Sequence, residues 1–340
     1  MRAGIFLAYW PWFTPAEQVE LAVLADSLGL DSAWVAEAWG QDAVSVLGLL
    51  AGKTDRIGLG SGLMQIPARR ATATAMAAVS LDVLSAGRFR LGLGLSGPQV
   101  SEGWYGVPFT NNLRRTREYV DVVRRTLARE KMLLDMEGGE PGLGLGKPLK
   151  LLARPVQERL PIYLGSIGPK AVRQTGAIAD GWLPFMLDPT NPELLLGPLR
   201  EGAESAGRSL ADIDIAPVVP LAIDENLDAA RNAVRPWLAF YLGSMGAKSK
   251  NFYVELAERQ GHGTAAREVQ EKGLAGDRLG AVAAVTDGLV DAGAIATTPA
   301  GLDERLAIYE RAGVTTLVAV PCGDDKPGVL RALAAATVTK

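Results

Sequence analysis

Cysteine and histidine are almost absent. The 340 residues include one cysteine, Cys322, and one histidine, His262. A lone cysteine excludes an internal disulfide, and a lone histidine excludes a histidine-rich metal site or a two-histidine dyad, so no metal is expected. An excess of either charge is lacking too: 35 lysines and arginines stand against 38 aspartates and glutamates, a formal net charge of −3. No basic run has the density of a nucleic-acid footprint, and nucleic acid is not expected as a partner. The apolar stretch at the N-terminus is too short to cross a membrane, is interrupted by Pro11 and carries no signal-peptide cleavage pattern. A cytoplasmic protein without a membrane partner is expected.

What is present is core material. Hydrophobic residues make up 48% of the chain and charged residues 21%, a globular balance. Eight short β-rich runs recur along it: Ala3–Leu7, Ser32–Val35, Ile57–Leu63, Arg88–Leu93, Ile162–Leu164, Trp182–Phe185, Ile213–Leu221 and Thr315–Val320. Amphipathic helical patterns separate several of them, such as Pro15–Leu28, which Gly29 stops. Parallel strands with helical returns close most economically into a (β/α)8 TIM barrel, because the crossovers share one hand and closure removes sheet edges. The expected architecture is therefore α/β, a single barrel domain over 1–340, with an open doubly wound sheet as the alternative. Two stretches break the rhythm as insertions. Residues 131–155 include the glycine-rich run Gly138–Gly146, which suits a loop. Residues 226–292, before the last strand, form a long helical excursion with Ala229–Tyr241 and Gly280–Val290 as its clearest helices. This excursion could serve as a lid or a partner surface.

Two glycine motifs mislead. Gly92-Leu93-Gly94-Leu95-Ser96-Gly97 matches a dinucleotide fingerprint, but Pro98 and Gly103 interrupt the helix that must follow, and the next good helix begins near Leu113. Tight packing at Gly92 and Gly94 explains the pattern instead. Gly142–Pro148 superficially matches a phosphate loop but has Pro148 where Ser or Thr would hold magnesium.

A better anion site is Ile162–Lys170, where a strand runs directly into a helix. Ser166 or Gly168 can open the first turn, Pro169 suits its first position, and free amides beside Lys170 and Arg173 suit a phosphate or ordinary capping with solvated cations equally; the turn's place on the catalytic face of a barrel favours the phosphate. Glu37 ends the second strand at the barrel mouth, as a functional carboxylate or a structural acid accepting backbone hydrogen bonds. Asp42 reads as the N-cap of the next helix. In the third strand Gly58, Gly60 and Gly62 alternate, leaving one face bare for a flat ligand, a bulge or tight barrel packing.

These segments together carry a resemblance. Gly58–Pro67, Ala71–Phe89 and Leu91–Gly94 resemble the bacterial luciferase-like family. Ser96–Gly106, Leu164–Lys170 and Ala179–Trp182 resemble its branch of oxidoreductases using the deazaflavin coenzyme F420, the methylene-tetrahydromethanopterin reductase-like group. The resemblance runs to about Asp188 and returns at 300–321. It implies a barrel holding the ring at the C-terminal strand ends, a bulge behind the ring with a cis peptide mapping onto Gly62-Leu63, phosphate at Gly165–Gly168, and a homodimer. The implied cofactor contacts are Gly62, Leu63, Met64, Ser96, Gly97, Gly165, Ser166, Ile167, Gly168 and Lys170. Arg69, Arg70 and Arg173 are further candidates for the anionic tail, with an ordinary solvated helix surface as the alternative for each. Many relatives carry an acid–histidine pair after the second strand, whereas this chain has Glu37-Ala38. The implied activity is hydride transfer between F420 and a small organic substrate, with Glu37 or Glu102 aiding polarisation or placement. Trp39, Trp104, Tyr105 and Trp182 are candidate pocket walls or packing residues. An FMN-dependent monooxygenase and a non-catalytic flavin-binding protein are the alternatives. His262 is placed in the insertion, and Cys322 is expected as an inert thiol.

Overall fold

The computed structural model describes residues 1–10, 12–134 and 143–338. Part of the glycine-rich run at 138–146, Gly138–Gly142, lies outside the described residues. Eleven strands are formed among the described residues: β1 (Arg2–Leu7), β2 (Ser32–Val35), β3 (Gly58–Ser61), β4 (Met64–Gln65), β5 (Phe89–Gly94), β6 (Ile162–Leu164), β7 (Gly181–Trp182), β8 (Asp214–Ile215), β9 (Val218–Ile223), β10 (Ile295–Thr297) and β11 (Thr316–Pro321). Every paired strand runs parallel, in the order β10-β9-β11-β1-β2-β3-β5-β6-β7-β8, with β4 also on β5. The ring closes where Phe185, just past β7, pairs in parallel with Val218, and Val218 N donates to Pro184 O at 2.8 Å. β8 and β9 act as one stave broken at Ala216-Pro217, and β3 and β4 as one stave broken at Gly62-Leu63. This is the expected TIM-barrel architecture, and β10 adds a short strand beside the outer end of β9.

The apolar strands bury nearly every residue, as parallel strands covered on both faces must. Inside the barrel the alternate glycines make room for large neighbours. A Cβ at Gly60 would overlap the indole of Trp34, one at Gly62 would lie 2.7 Å from the Phe6 ring, and one at Gly58 3.1 Å from the Arg90 guanidinium. Trp34 crosses the barrel to meet Tyr163 edge-on at 4.8 Å. Leu63 similarly occupies the space that side chains at Gly92, Gly94 and Gly165 would need. Close packing therefore accounts for both glycine patterns.

Local signals position the connections. Gly29, at φ 79°, ends the helix Pro15–Ser27, and Asp42 caps Ala43–Ala51 by accepting from Ser45 N at 2.7 Å. After β5 the long helix is Asn112–Leu127, but Gln99–Trp104 makes one π-helical turn despite Pro98 and Gly103. The 131–155 excursion is pinned by a two-way backbone bridge between Met132 and Leu149. The later insertion holds helices Leu227–Ser244, Phe252–Arg259, Gly263–Leu274, Arg278–Ala283 and Asp287–Gly293. The single helix expected over Gly280–Val290 is thus two, because the Thr286 hydroxyl accepts from Leu289 N and starts a new helix.

Candidate active site

Loops leaving the C-terminal strand ends gather the candidate residues at one mouth. Glu37 follows β2 and is buried, 3% exposed. Its carboxylate accepts from Gln65 N at 3.0 Å, Ala43 N at 3.2 Å and the Arg69 guanidinium at 2.7 Å. Arg69 also pairs with Asp42. Burial opposes its charge, but the Glu37 and Asp42 carboxylates outweigh that and hold the guanidinium above its ordinary value. Arg69 is therefore committed to these acids and is not free for a cofactor tail.

The peptide between Gly62 and Leu63 is cis. Met64 is buried behind it, and Gln65 follows, 6% exposed, with its Nε2 donating to Ser96 Oγ at 3.3 Å. Its Oε1 is buried without a partner. Ser96 takes the left-handed region, φ 61°, and Gly97 brings the chain past Gln99, whose Oε1 is also unpartnered. The segments after β3 and β5 thus each carry one buried amide oxygen without an N–H or O–H donor.

The turn after β6 leads into a helix with no side-chain cap. Gly168 starts the helix Pro169–Ile178 without any side-chain cap, so the first amides remain available. Ser166 does not supply that cap: its hydroxyl lies 2.8 Å from Thr175 Oγ1. Its carbonyl accepts from Trp182 Nε1 at 2.9 Å, and Trp182 is fully buried, so it supports the turn from below and presents no exposed face. Lys170 is exposed in the first helical turn, and Arg173 pairs at 3.7 Å with Glu201. Sequence reasoning missed Arg259, which comes from the insertion 92 positions away and donates to Ile167 O at 2.8 Å.

The remaining candidates scatter. Tyr105 is half-buried, and burial, with the Glu37 carboxylate adding, raises its hydroxyl. Trp39 and Trp104 are exposed. Glu102 is exposed and accepts from Phe109 N at 2.9 Å, so its carboxylate fixes its own loop. His262 immediately precedes the helix Gly263–Leu274 without a side-chain cap bond and packs near Gly288 within the insertion. Cys322 is a free thiol that burial pushes up to about 12.

The opposite, N-terminal face carries a cleft of about 700 Å³ lined by Arg2, Asp31, Arg90, Tyr163 and Asp214. Its charges cancel in pairs, Arg90–Asp31 at 2.6 Å and Arg2–Asp214 at 2.8 Å, so it braces the barrel floor. Unpartnered acceptors and an uncapped helix mark the C-terminal mouth instead.

The family model described as luciferase-like monooxygenase matches residues 1–316. The chain belongs to that family. This luciferase-like chain is 39% identical over 327 residues, 94% of both proteins, to a Mycobacterium tuberculosis protein assigned as a coenzyme F420-dependent oxidoreductase. It is 31% identical over 326 residues to the 5,10-methylenetetrahydromethanopterin reductase of Methanolobus tindarius, covering 94% of this chain and 96% of that one. Among solved structures, the F420-dependent tetrahydromethanopterin reductase of Methanopyrus kandleri superposes with a TM-score of 0.84 at 27% identity, over 99% and 98% of the two chains. Among the described residues, no helix is long and apolar enough to cross a membrane, and no cluster of His, Cys, Asp and Glu could hold a metal ion.

Proposed function

We propose that this luciferase-like protein is an F420-dependent oxidoreductase transferring a hydride between the deazaflavin and a small organic substrate. The observation that carries this reading is the end-to-end similarity, 94% of both chains, to the F420-dependent relative. The residues at the mouth fit such a cofactor. Gln65 Oε1 and Gln99 Oε1 are buried acceptors suited to ring N–H or hydroxyl donors, with Gly62, Leu63, Met64, Ser96 and Gly97 forming the adjoining backbone. Gly165–Gly168, the amides of the uncapped helix, Lys170 and Arg259 suit the phosphate-bearing tail. A bound deazaflavin supplies or accepts the hydride at its C5.

The chain's own residues place the reactants. Glu37 ties the end of β2, Gln65 and Arg69 into one unit, so its role in this reading is placement of the ring-contacting segment. Glu102 acts through the loop that carries Trp104 and Tyr105, and these two with Trp39 border the substrate side. Ala38 offers no imidazole, so any donor to the substrate comes from elsewhere. A homodimer and a cytoplasmic location complete the reading, and a monomer in sedimentation velocity would remove the former.

Side-by-side calorimetric titration of the apoprotein with oxidised F420 and with FMN tests the proposal. Tight F420 and weak FMN binding are expected. The reverse would make this an FMN-dependent monooxygenase. Binding of either ring without redox change under any donor or acceptor would leave a non-catalytic flavin-binding protein.

A further inference from the structure

Three buried donors beside the mouth lack enough acceptors. Trp237, in the insertion helix Leu227–Ser244, is 1% exposed, and its Nε1–H has no partner. Tyr9, two residues past β1, and Tyr241, on the same insertion helix, place their hydroxyls 2.9 Å apart. That contact uses one of the two hydroxyl protons, and neither oxygen has another partner among the described residues. Buried donors are normally satisfied, so one N–H and one O–H here point to a missing acceptor.

The three side chains form one aromatic cluster. Tyr9 stacks on Trp237 at 6.0 Å with 16° between planes, and Tyr241 lies 5.3 Å from Trp237 and 4.1 Å from Phe185. Trp12 stands edge-on to Trp237 at 5.4 Å and is 38% exposed, so the cluster reaches the surface at that ring. Phe6 joins it to the cofactor region: its ring lies 6.2 Å from Trp237 and borders Gly62 of the cis peptide.

We propose that this cluster is a subsite for an uncharged, flat, apolar carbonyl compound, whose oxygen accepts from Trp237 Nε1–H and from the free hydroxyl proton of the Tyr9–Tyr241 pair. The substrate class follows from the lining. Aromatic faces match a flat apolar body, and two unspent donors within one aromatic cluster match the two lone pairs of a carbonyl oxygen. A carboxylate or phosphate would find no counter-charge among the rings packed on the cluster, Phe6, Trp12, Phe185 and Phe240. Burial pushes Tyr9 up to about 12, so it stays a phenol and keeps its proton to donate. The pair also supplies a donor that Ala38 cannot. The chemistry rests on the hydride-transfer reading, but recognition can be measured without any cofactor.

The probes are 2-acetylnaphthalene, the shape-matched hydrocarbon 2-ethylnaphthalene, and the anion 2-naphthoate, each titrated into the apoprotein by equilibrium dialysis. The wild type should hold the ketone roughly tenfold tighter than the hydrocarbon, the effect of about one satisfied hydrogen bond. Trp237→Phe, and the double variant Tyr9→Phe/Tyr241→Phe that removes both hydroxyl protons, should each cut that preference while leaving hydrocarbon binding within about twofold, a split that lost packing alone would not produce. Should Trp237→Phe not fold, the double variant Tyr9→Phe/Tyr241→Phe, which removes only hydroxyls, decides. Equal binding of ketone and hydrocarbon by the wild type, an unchanged preference in the folded variants, or naphthoate bound as tightly as the ketone would each overturn the proposal. A parallel F420 titration keeps the two readings separate: ketone preference without F420 binding would remove the hydride-transfer reading alone.

Discussion

Glu37 and Asp31 sit at opposite ends of the barrel, and each balances an arginine. Glu37 neutralises Arg69 in a buried site and also holds Gln65 N. Glu37→Gln keeps the shape but leaves Arg69 with only the half-exposed Asp42, so a loss of about 3 kcal/mol in urea unfolding is expected. The F420 dissociation constant should also rise about tenfold, because Gln65 loses its charged anchor. Unchanged F420 affinity would remove Glu37 from ring placement. At the barrel floor, burial opposes the Asp31 charge, but Arg90 and then Arg2 outweigh it and hold the carboxyl below its usual value. A depressed carboxyl contributes stability above its unfolded value of about 3.9, and that contribution is lost as pH falls through the lower folded value. Asp31→Asn should therefore be less stable than wild type at pH 7, and the gap should shrink below about pH 4. A gap that persists undiminished in acid would contradict the ion pair's role.

Among the elements, the helix Pro169–Ile178 and the insertion helix Phe252–Arg259 meet at one turn. The first brings uncapped amides, and the second brings the Arg259 guanidinium to Ile167 O. Their shared positive character should make F420 binding salt-sensitive. Arg259→Ala should weaken F420 binding about fivefold to tenfold at low ionic strength and flatten its salt dependence, read by titration at several salt concentrations. Equal salt slopes for variant and wild type would detach Arg259 from the cofactor tail. The anion turn was legible in Gly165–Lys170 because strand, glycine, proline and helix follow one another locally. Arg259 was not legible, because its 92-position separation from Ile167 leaves no local pattern. The alternate glycines Gly58, Gly60 and Gly62 lay between these cases: their spacing showed a bare face, but only Arg90, Trp34 and Phe6 in place showed what fills it.

For the whole molecule, cofactor binding at the mouth would be linked to folding. A ligand bound only by the folded state stabilises it by about 2.7 kcal/mol at 100 times its Kd. For a chain of this length that corresponds to a rise in Tm of roughly 4 °C. Differential scanning fluorimetry with F420 and with FMN should show that rise for F420 first; no shift at saturating F420 would contradict binding to the folded mouth.

The sequence by itself determined the strand and helix rhythm, and with it the barrel. Ser32–Val35 and Ile162–Leu164 were readable to the residue, because apolar runs, caps and turn glycines act over a few positions. It also determined that Glu37 and the Gly165–Lys170 turn share the C-terminal face, since parallel closure puts every strand end on one side. Tertiary structure alone decided that Arg69 is spent on Glu37 and Asp42, that Trp182 lies beneath the Gly165–Gly168 turn, and that Tyr9 meets Tyr241 across 232 positions. The physical reason is that partner choice for a buried polar group depends on what closure brings within about 3 Å of it, and no periodicity along the chain encodes that.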